Sequence, residues 1–399
     1  MNVKRMYDHC LLSEIDDLVP NLVALRRDLH SHPELGFQER RTAARVSEAL
    51  VGLGLEVHTG IGGTGVVGLL KVGKSSRTVG LRADMDALPI QESTGLPYAS
   101  QHPGVFHGCG HDGHVAMLLG AAQTLARRRD FDGTVHFIFQ PAEEGLGGAR
   151  AMIQDGLFER FPCDRVFGLH NWPGLPAGVV ATRPGPIMAA ADKFEIVLEG
   201  QGGHAALPHT ASDVLGAAAQ LILQLKTLVG RCVSPTATAV LSVTRVSGGH
   251  THNVLPATVT LGGTVRSFDP EVQNRLEAAL RRSAEGVALM TQTRAKVSYD
   301  RYYPATVNDA SAAQGVIAAL DGVCSTQVLD APALTSEDFA FMLQVRPGAY
   351  VWLGQGSAAG QGGVPLHHPG YDFNDDVLRL GVAVHVALAR HALKQVCVG

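Results

Sequence analysis

Long apolar runs are missing from this 399-residue chain. No stretch of about 18 uninterrupted apolar residues occurs, which excludes a membrane-spanning helix. The opening MNVKRMYDHCLLSEIDDLVP is basic at first, but charges recur every few residues, so it does not read as a secretion signal. An excess of one charge is missing too. Lys and Arg number 33 against 37 Asp and Glu, a net charge of −4, which argues against a nucleic-acid partner. Cysteine is sparse and lacks a pairing rhythm. Cys10, Cys109, Cys163, Cys232, Cys324 and Cys397 are expected to be reduced thiols, all but Cys109 small core fillers, in a cytoplasmic protein. No G-x-S-x-G elbow is present, which weighs against a serine hydrolase. Internal repeats and low-complexity segments are absent as well.

What is present is an ordinary globular composition, 45% apolar and 18% charged, in a chain too long for one typical core. Two domains are therefore expected. In the first 187 residues, short β-branched runs such as TGVVGLLKV, RTVGLRADMD, GTVHFIFQ and RVFGLHNWP alternate with helical runs such as RTAARVSEALVGLG and HVAMLLGAAQTLARRR. That alternation predicts an α/β domain with a mixed, mostly parallel sheet, whose functional groups gather at the carboxyl ends of strands. Residues 188–303 follow another order, β-α-β-β-α-β, the ferredoxin-like unit, with Asp269 predicted to cap its second helix ahead of Pro270. Helix and strand then alternate again over 304–399. The expected architecture is a discontinuous domain, 1–187 with 304–399, carrying an inserted domain at 188–303.

Chemistry concentrates in four islands: HGCGHDGH (107–114), QPAEEG (140–145), GLHNWPG (168–174) and PLHHPGYDFND (365–375). Cys109 and His111 stand two apart, so a turn or extended segment aims both to one side. Glu144 and His170 each end a predicted strand, and His367 comes from the C-terminal segment. One thiolate, one carboxylate and three imidazoles suit zinc, manganese, cobalt or nickel and are poor for magnesium or calcium. Five ligands exceed one tetrahedral site and fit two divalent ions about 3.5–4 Å apart. Glu143, adjacent to Glu144 and pointing differently, is the candidate general base. Asp84 and Asp86 are candidates to orient the ligand imidazoles.

Together with HSHPELGFQE, RADMDALPI, GGHAALPH, NVLPA, GGTVRSF and TSEDFAFM, these islands resemble the M20 metallopeptidase family over nearly the whole chain and in family order. More narrowly the chain resembles its amidohydrolase branch: hippurate hydrolases, N-acyl-L-amino acid amidohydrolases and plant auxin-conjugate hydrolases. The resemblance implies a zinc-peptidase-like catalytic domain with an inserted lid or dimerisation domain, two divalent ions per subunit and a homo-oligomer, a dimer first. It puts metal ligands on Cys109, His111, Glu144, His170 and His367 and the base on Glu143. Whether Cys109 bridges both ions stays open. In the inserted domain it implies that His204 stabilises the tetrahedral intermediate. Asn253 and Arg266 fall near the substrate's polar end, where Arg266 suits a carboxylate. His209 and Gly354 are further candidates for substrate contact, and Glu337 for support of the ligands. The implied substrate is a small N-acyl amino acid; a dipeptidase or carboxypeptidase with the same machinery is the alternative.

Overall fold

The computed structural model describes residues 11–357 and 362–394. In chain order the strands discussed below are β1 (Glu56–Ile61), β2 (Gly65–Val72), β3 (Thr78–Asp84), β4 (Gly133–Gln140), β5 (Arg165–Pro173), β6 (Val179–Thr182), β7 (Ala190–Glu199), β8 (Ala239–Ser247), β9 (Thr258–Ser267), β10 (Arg294–Tyr303), β11 (Ser325–Val328) and β12 (Gly348–Gly356). The helices are α1 (Val19–Ser31), α2 (Arg40–Gly52), α3 (His111–Arg128), α4 (Val214–Leu225), α5 (Pro270–Met290) and α6 (Leu378–Leu393). Among the described residues no helix is long and apolar enough to cross a membrane.

Two compact units result. The first comprises residues 1–187, 307–331 and 338–399. It holds an eight-stranded sheet in the order β1-β2-β4-β3-β5-β12-β6-β11. The central strands β4, β3, β5 and β12 run parallel, whereas β1, β2 and the β12–β6 junction pair antiparallel. Buried on both faces, these strands read as continuous apolar runs. Helices α1, α3 and α6 pack together, and Val115, Leu118, Leu125, Val382 and Val386 join Leu81, Val135 and Val351 in one core. Gly113 lies in the first turn of α3, where an added Cβ would come within 2.3 Å of the Phe373 ring.

The second unit comprises residues 188–306 with 332–337. Its sheet order is β8-β9-β7-β10, every pairing antiparallel, the order of a β-α-β-β-α-β unit. Alternation along β7 buries Phe194, Ile196 and Leu198 against α4 and α5 and exposes Lys193 and Glu195. Asp269 caps α5 by accepting from the Glu271 N–H at 2.8 Å, with Pro270 in the first turn. Residues 332–337, grouped with the other domain in the sequence reading, join this unit. The Ala189 N–H donates to the carbonyls of Ala333 and Thr335, and Arg266 donates to the Ser336 hydroxyl at 3.0 Å. Cys109 and Cys163 are buried, and Cys232 and Cys324 are half-buried, packed against the two cores; Cys10 and Cys397 lie outside the described residues.

Candidate metal centre

The carboxyl edge of β3, β4 and β5 assembles the site in the first unit. β3 ends on Asp84 and leads to Asp86; β4 ends at Gln140, just ahead of Glu143 and Glu144; His170 stands near the end of β5. The turn holding Cys109 enters α3 through Gly110, whose φ of +86° suits glycine. A Cβ there would come within 2.6 Å of Asn171 Oδ1 and 2.7 Å of Tyr371 Oη. Gly110→Ala is accordingly expected to cost about 1–3 kcal/mol, as overpacking does, read as a lower urea midpoint. A shift under about 0.5 kcal/mol would show that the turn can yield.

Hydrogen bonding fixes the candidate ligand side chains one by one. The His111 Nδ1–H donates to the Asp86 main-chain carbonyl at 2.8 Å, and its buried Nε2 has no hydrogen-bond partner among the described residues. The His170 Nδ1–H donates to the Asn171 carbonyl at 2.7 Å, and its Nε2 lies 3.5 Å from Cys109 Sγ. In both rings the protonated nitrogen is held by backbone and the basic one is turned inward. The Asp86 carboxylate accepts from the Glu143 N–H at 3.0 Å and the Glu144 N–H at 2.9 Å, so one residue ties the glutamate loop to His111. Glu143 is buried and accepts from the Asp338 N–H at 3.3 Å. His367, with φ of +65° and its side chain half exposed, brings Nε2 to 3.1 Å from Glu144 Oε1. Its N–H donates to the Gly108 carbonyl, which joins the C-terminal segment to the cysteine turn.

The electrostatics are those of a site built around positive charge. Burial, then Glu144, Glu143 and Asp84, pushes the Cys109 thiol well above its usual value. Burial alone would lower His111, but Asp84, Asp86 and Glu144 outweigh it and raise the imidazole to about 10. Asp84 is held well below the carboxylate range against full burial, by Arg82 first and then His111 and His114. Bound cations would reverse the first two tendencies, because they favour thiolate and neutral imidazole. A thiol, two imidazoles with inward Nε2 atoms and a carboxylate crowded at one strand edge thus fit divalent ions; Cys109, His111 and Glu144 offer donor atoms within 4.8 Å of one another.

Of the remaining sequence candidates, His204, His209, Asn253 and Arg266 belong to the second unit. His204 and Asn253 adjoin in the second unit, where His204 pairs with Val254 and the Ala205 N–H donates to the Asn253 carbonyl. His204 does not cap α4; Asp213 does, accepting from the Gly216 N–H at 2.8 Å. His209 lies exposed on a 3-10 turn. Glu337 is buried in the second unit, its carbonyl 3.4 Å from the Thr306 hydroxyl. Gly354 is buried in β12, where a Cβ would stand 2.0 Å from the Pro176 carbonyl oxygen.

Several residues around the centre were not singled out from the sequence. Arg82 donates to Gln140 at 2.8 Å and to Asp84 at 2.6 Å and lies 3.3 Å from Asp338. Arg26 reaches Asp375 at 2.8 Å and Asp372 at 3.4 Å and lies 3.6 Å from Asp112. His30 donates through Nδ1 to Asp112 at 2.8 Å. One signal was available: the i, i+3 spacing of His111 and His114 puts both on one helical face. The arginines carry no such local mark.

A parallel-stranded α/β unit with thiol, imidazole and carboxylate groups at its carboxyl edge belongs to the metal-dependent hydrolases in kind. The family model for peptidase family M20/M25/M40 matches residues 80–391, and the chain belongs to that family. It is 40% identical over 387 residues to the hippurate hydrolase of Campylobacter jejuni, covering 96% of this chain and 100% of that one. It is 38% identical over 384 residues to thermostable carboxypeptidase 1 of Saccharolobus solfataricus, covering 95% and 97%. Among solved structures, the Bacillus subtilis YXEP protein, described as a dinuclear metal-binding peptidase of the M20 family, is 34% identical with a TM-score of 0.84, covering 96% of this chain and 100% of that one.

Proposed function

We propose that the chain is a metal-dependent amidohydrolase that cleaves N-acyl-L-amino acids, of the hippurate or N-acetyl type, to a carboxylic acid and a free amino acid. The observation that carries this reading is the pair of buried imidazoles, His111 and His170, each with Nδ1–H on a main-chain carbonyl, the His111 ring grouped with Cys109 and Glu144 and the His170 Nε2 turned toward Cys109. Cys109, His111, Glu144, His170 and His367 would hold two divalent ions, with zinc, manganese, cobalt and nickel all compatible. Such ions supply Lewis acidity toward water and the amide carbonyl. The Glu143 carboxylate takes a proton from the attacking water and returns it to the departing amine. Asp86 keeps Glu143 and Glu144 apart in direction by holding both their N–H groups. Residues 188–303 are proposed as the lid and dimerisation domain, with His204 serving the tetrahedral oxygen and Arg266 and Asn253 the substrate carboxylate. The names of the hippurate hydrolase and carboxypeptidase relatives support, respectively, the main reading and a carboxypeptidase alternative.

The test is amine release from N-benzoyl and N-acetyl amino acids and from dipeptides, using chelator-stripped enzyme resupplied with manganese, cobalt or zinc. Metal-dependent release from the N-acyl set is expected. Faster release of the C-terminal residue from peptides would favour the carboxypeptidase. No release from folded, metal-loaded protein would overturn both.

The cytoplasm is the proposed compartment, supported by the unpaired state of the four described cysteines. A homodimer through the second unit is proposed as well. Leu215 and Leu223 are exposed on α4, and β8 is an edge strand with Val246 exposed. Sedimentation equilibrium should give twice the chain mass, and Leu223→Asp should shift it toward the monomer. A monomeric wild type at micromolar concentration would remove the dimer.

A further inference from the structure

Three imidazoles crowd the centre. The ring centroid of His114 lies 4.5 Å from that of His170 and 5.4 Å from that of His111. On composition and proximity alone, His114 is as good a ligand as its neighbours. Its hydrogen bonds differ from theirs. The Nδ1–H donates to Asp84 Oδ1 at 2.5 Å. On the other side, Nε2 meets the Asn171 side-chain amide at 2.6 Å and the Asn171 main-chain N–H at 3.1 Å. Both nitrogens are therefore engaged by protein, whereas His111 keeps an Nε2 with no hydrogen-bond partner among the described residues and His170 turns its own toward a thiol.

Asn171 is the second half of the device. Its carbonyl accepts the His170 Nδ1–H at 2.7 Å, and its side-chain amide donates to Tyr371 Oη at 2.6 Å. Asn171, His114 and Tyr371 are all buried. Arg82 holds Asp84 from behind at 2.6 Å. A continuous buried chain thus runs Arg82–Asp84–His114–Asn171–Tyr371, touching β3, α3, β5 and the segment that follows His367. It passes through the residue whose main-chain carbonyl fixes the tautomer and direction of His170.

We propose that His114 is a positioning residue rather than a metal ligand: it clamps Asn171 against Asp84, and the Asn171 carbonyl in turn holds His170 with Nε2 facing Cys109. The inference rests on the reading of Cys109, His111 and His170 as ligands. Without His114, Asn171 loses the partner of both its main-chain N–H and its side-chain amide. The residue whose carbonyl holds the His170 ring is then less firmly fixed, and the bond that keeps the basic nitrogen inward weakens. Removing such an outer partner of a ligand histidine costs about 10- to 100-fold in metal affinity while leaving the ligand count intact.

The experiment titrates cobalt(II) into chelator-stripped wild type, His114→Gln, Asn171→Ala and the double variant, following stoichiometry, affinity and the thiolate-to-cobalt absorption band. Urea unfolding of each metal-free protein runs in parallel. The wild type is expected to take two ions. Each single variant should still take two with the thiolate band retained, one of them bound about 10- to 100-fold more weakly. The double variant should be no weaker than the worse single, because His114 acts on His170 only through Asn171. Loss of a whole ion from His114→Gln, with Asn171→Ala unchanged, would make His114 a ligand and overturn the proposal. Reduced metal-free stability with unchanged cobalt affinity would reduce the chain to core packing, and also overturn it. A wild type that binds no ion would fail the metal reading itself, a result separate from either. Should His114→Gln not fold, Tyr371→Phe removes only the far hydroxyl of the chain and should weaken the same ion; unchanged affinity there would count against the clamp.

Discussion

Glu143→Gln is expected to lower turnover of N-acyl amino acids by about 10²- to 10⁴-fold while metal content stays at the wild-type level, since general acid–base catalysis contributes on that scale. The substitution is nearly isosteric. The main-chain N–H that Asp86 accepts at 3.0 Å and the Asp338 N–H on the side chain at 3.3 Å both keep an oxygen to bond, so the loop should not move. What is lost is the ability to carry a proton between water and amine. Steady-state rates together with elemental analysis make the check: near-normal turnover would remove Glu143 as the base, and a fall in bound metal would show instead that it helps to hold the ions.

Arg26→Met should be the most destabilising single change, by roughly 3–5 kcal/mol, the cost of breaking a buried ion network by removing one partner. The guanidinium is fully buried, 2.8 Å from Asp375, 3.4 Å from Asp372 and 3.6 Å from Asp112, and it stacks over the Tyr98 ring at 4.7 Å. Met replaces the packing volume but leaves three carboxylates facing one another. Because Asp112 sits in the first turn of α3 beside His111, and Asp372 and Asp375 follow His367, the loss should also loosen metal binding. Denaturant unfolding gives the magnitude, and Arg26→Met with Asp375→Asn should recover part of it. A loss below about 1 kcal/mol would mean that water reaches the network.

The same network carries a pH signature. Burial alone would depress His30, but the Asp112 carboxylate overcomes it and lifts the imidazole from 6.5 to about 9. A group raised on folding stabilises fully below its unfolded pKa and loses that contribution as pH rises through its folded one. The stability gap between wild type and His30→Gln should therefore be widest near pH 6 and shrink by about pH 9.5. A gap that does not change over that window would place the proton elsewhere.

The candidate ligand set could be read from the sequence because its signal is local. Cys109 and His111 share one turn, Glu143 and Glu144 one loop, and each stands beside a run whose periodicity marks a strand or helix. The alternation of Phe194, Ile196 and Leu198, and Asp269 before Pro270, were legible for the same reason. Asp86 shows where such reading thins. Its residue type suggested a partner for an imidazole, and its carboxylate does lie 3.4 Å from His111 Nδ1, but the same carboxylate also holds the glutamate loop and its main-chain carbonyl takes the closer bond from His111. Backbone groups are identical at every position, so no residue letter announces which carbonyl will orient a ligand.

Residue types and their spacing by themselves determined the α/β class, the β-α-β-β-α-β order of the second unit, the candidate ligands and the family. All of these depend on short-range periodicity or on the chemistry of single side chains. Only the tertiary structure decided that Arg26 would meet Asp375 across 349 positions, that Asn171 would meet Tyr371 across 200, and that of three neighbouring imidazoles His114 would have both nitrogens engaged by protein. Those pairings are made by strands and helices that pack side by side after collapse. A buried polar atom takes whichever partner the packed elements bring within about 3 Å, and that choice leaves no trace in the residues on either side.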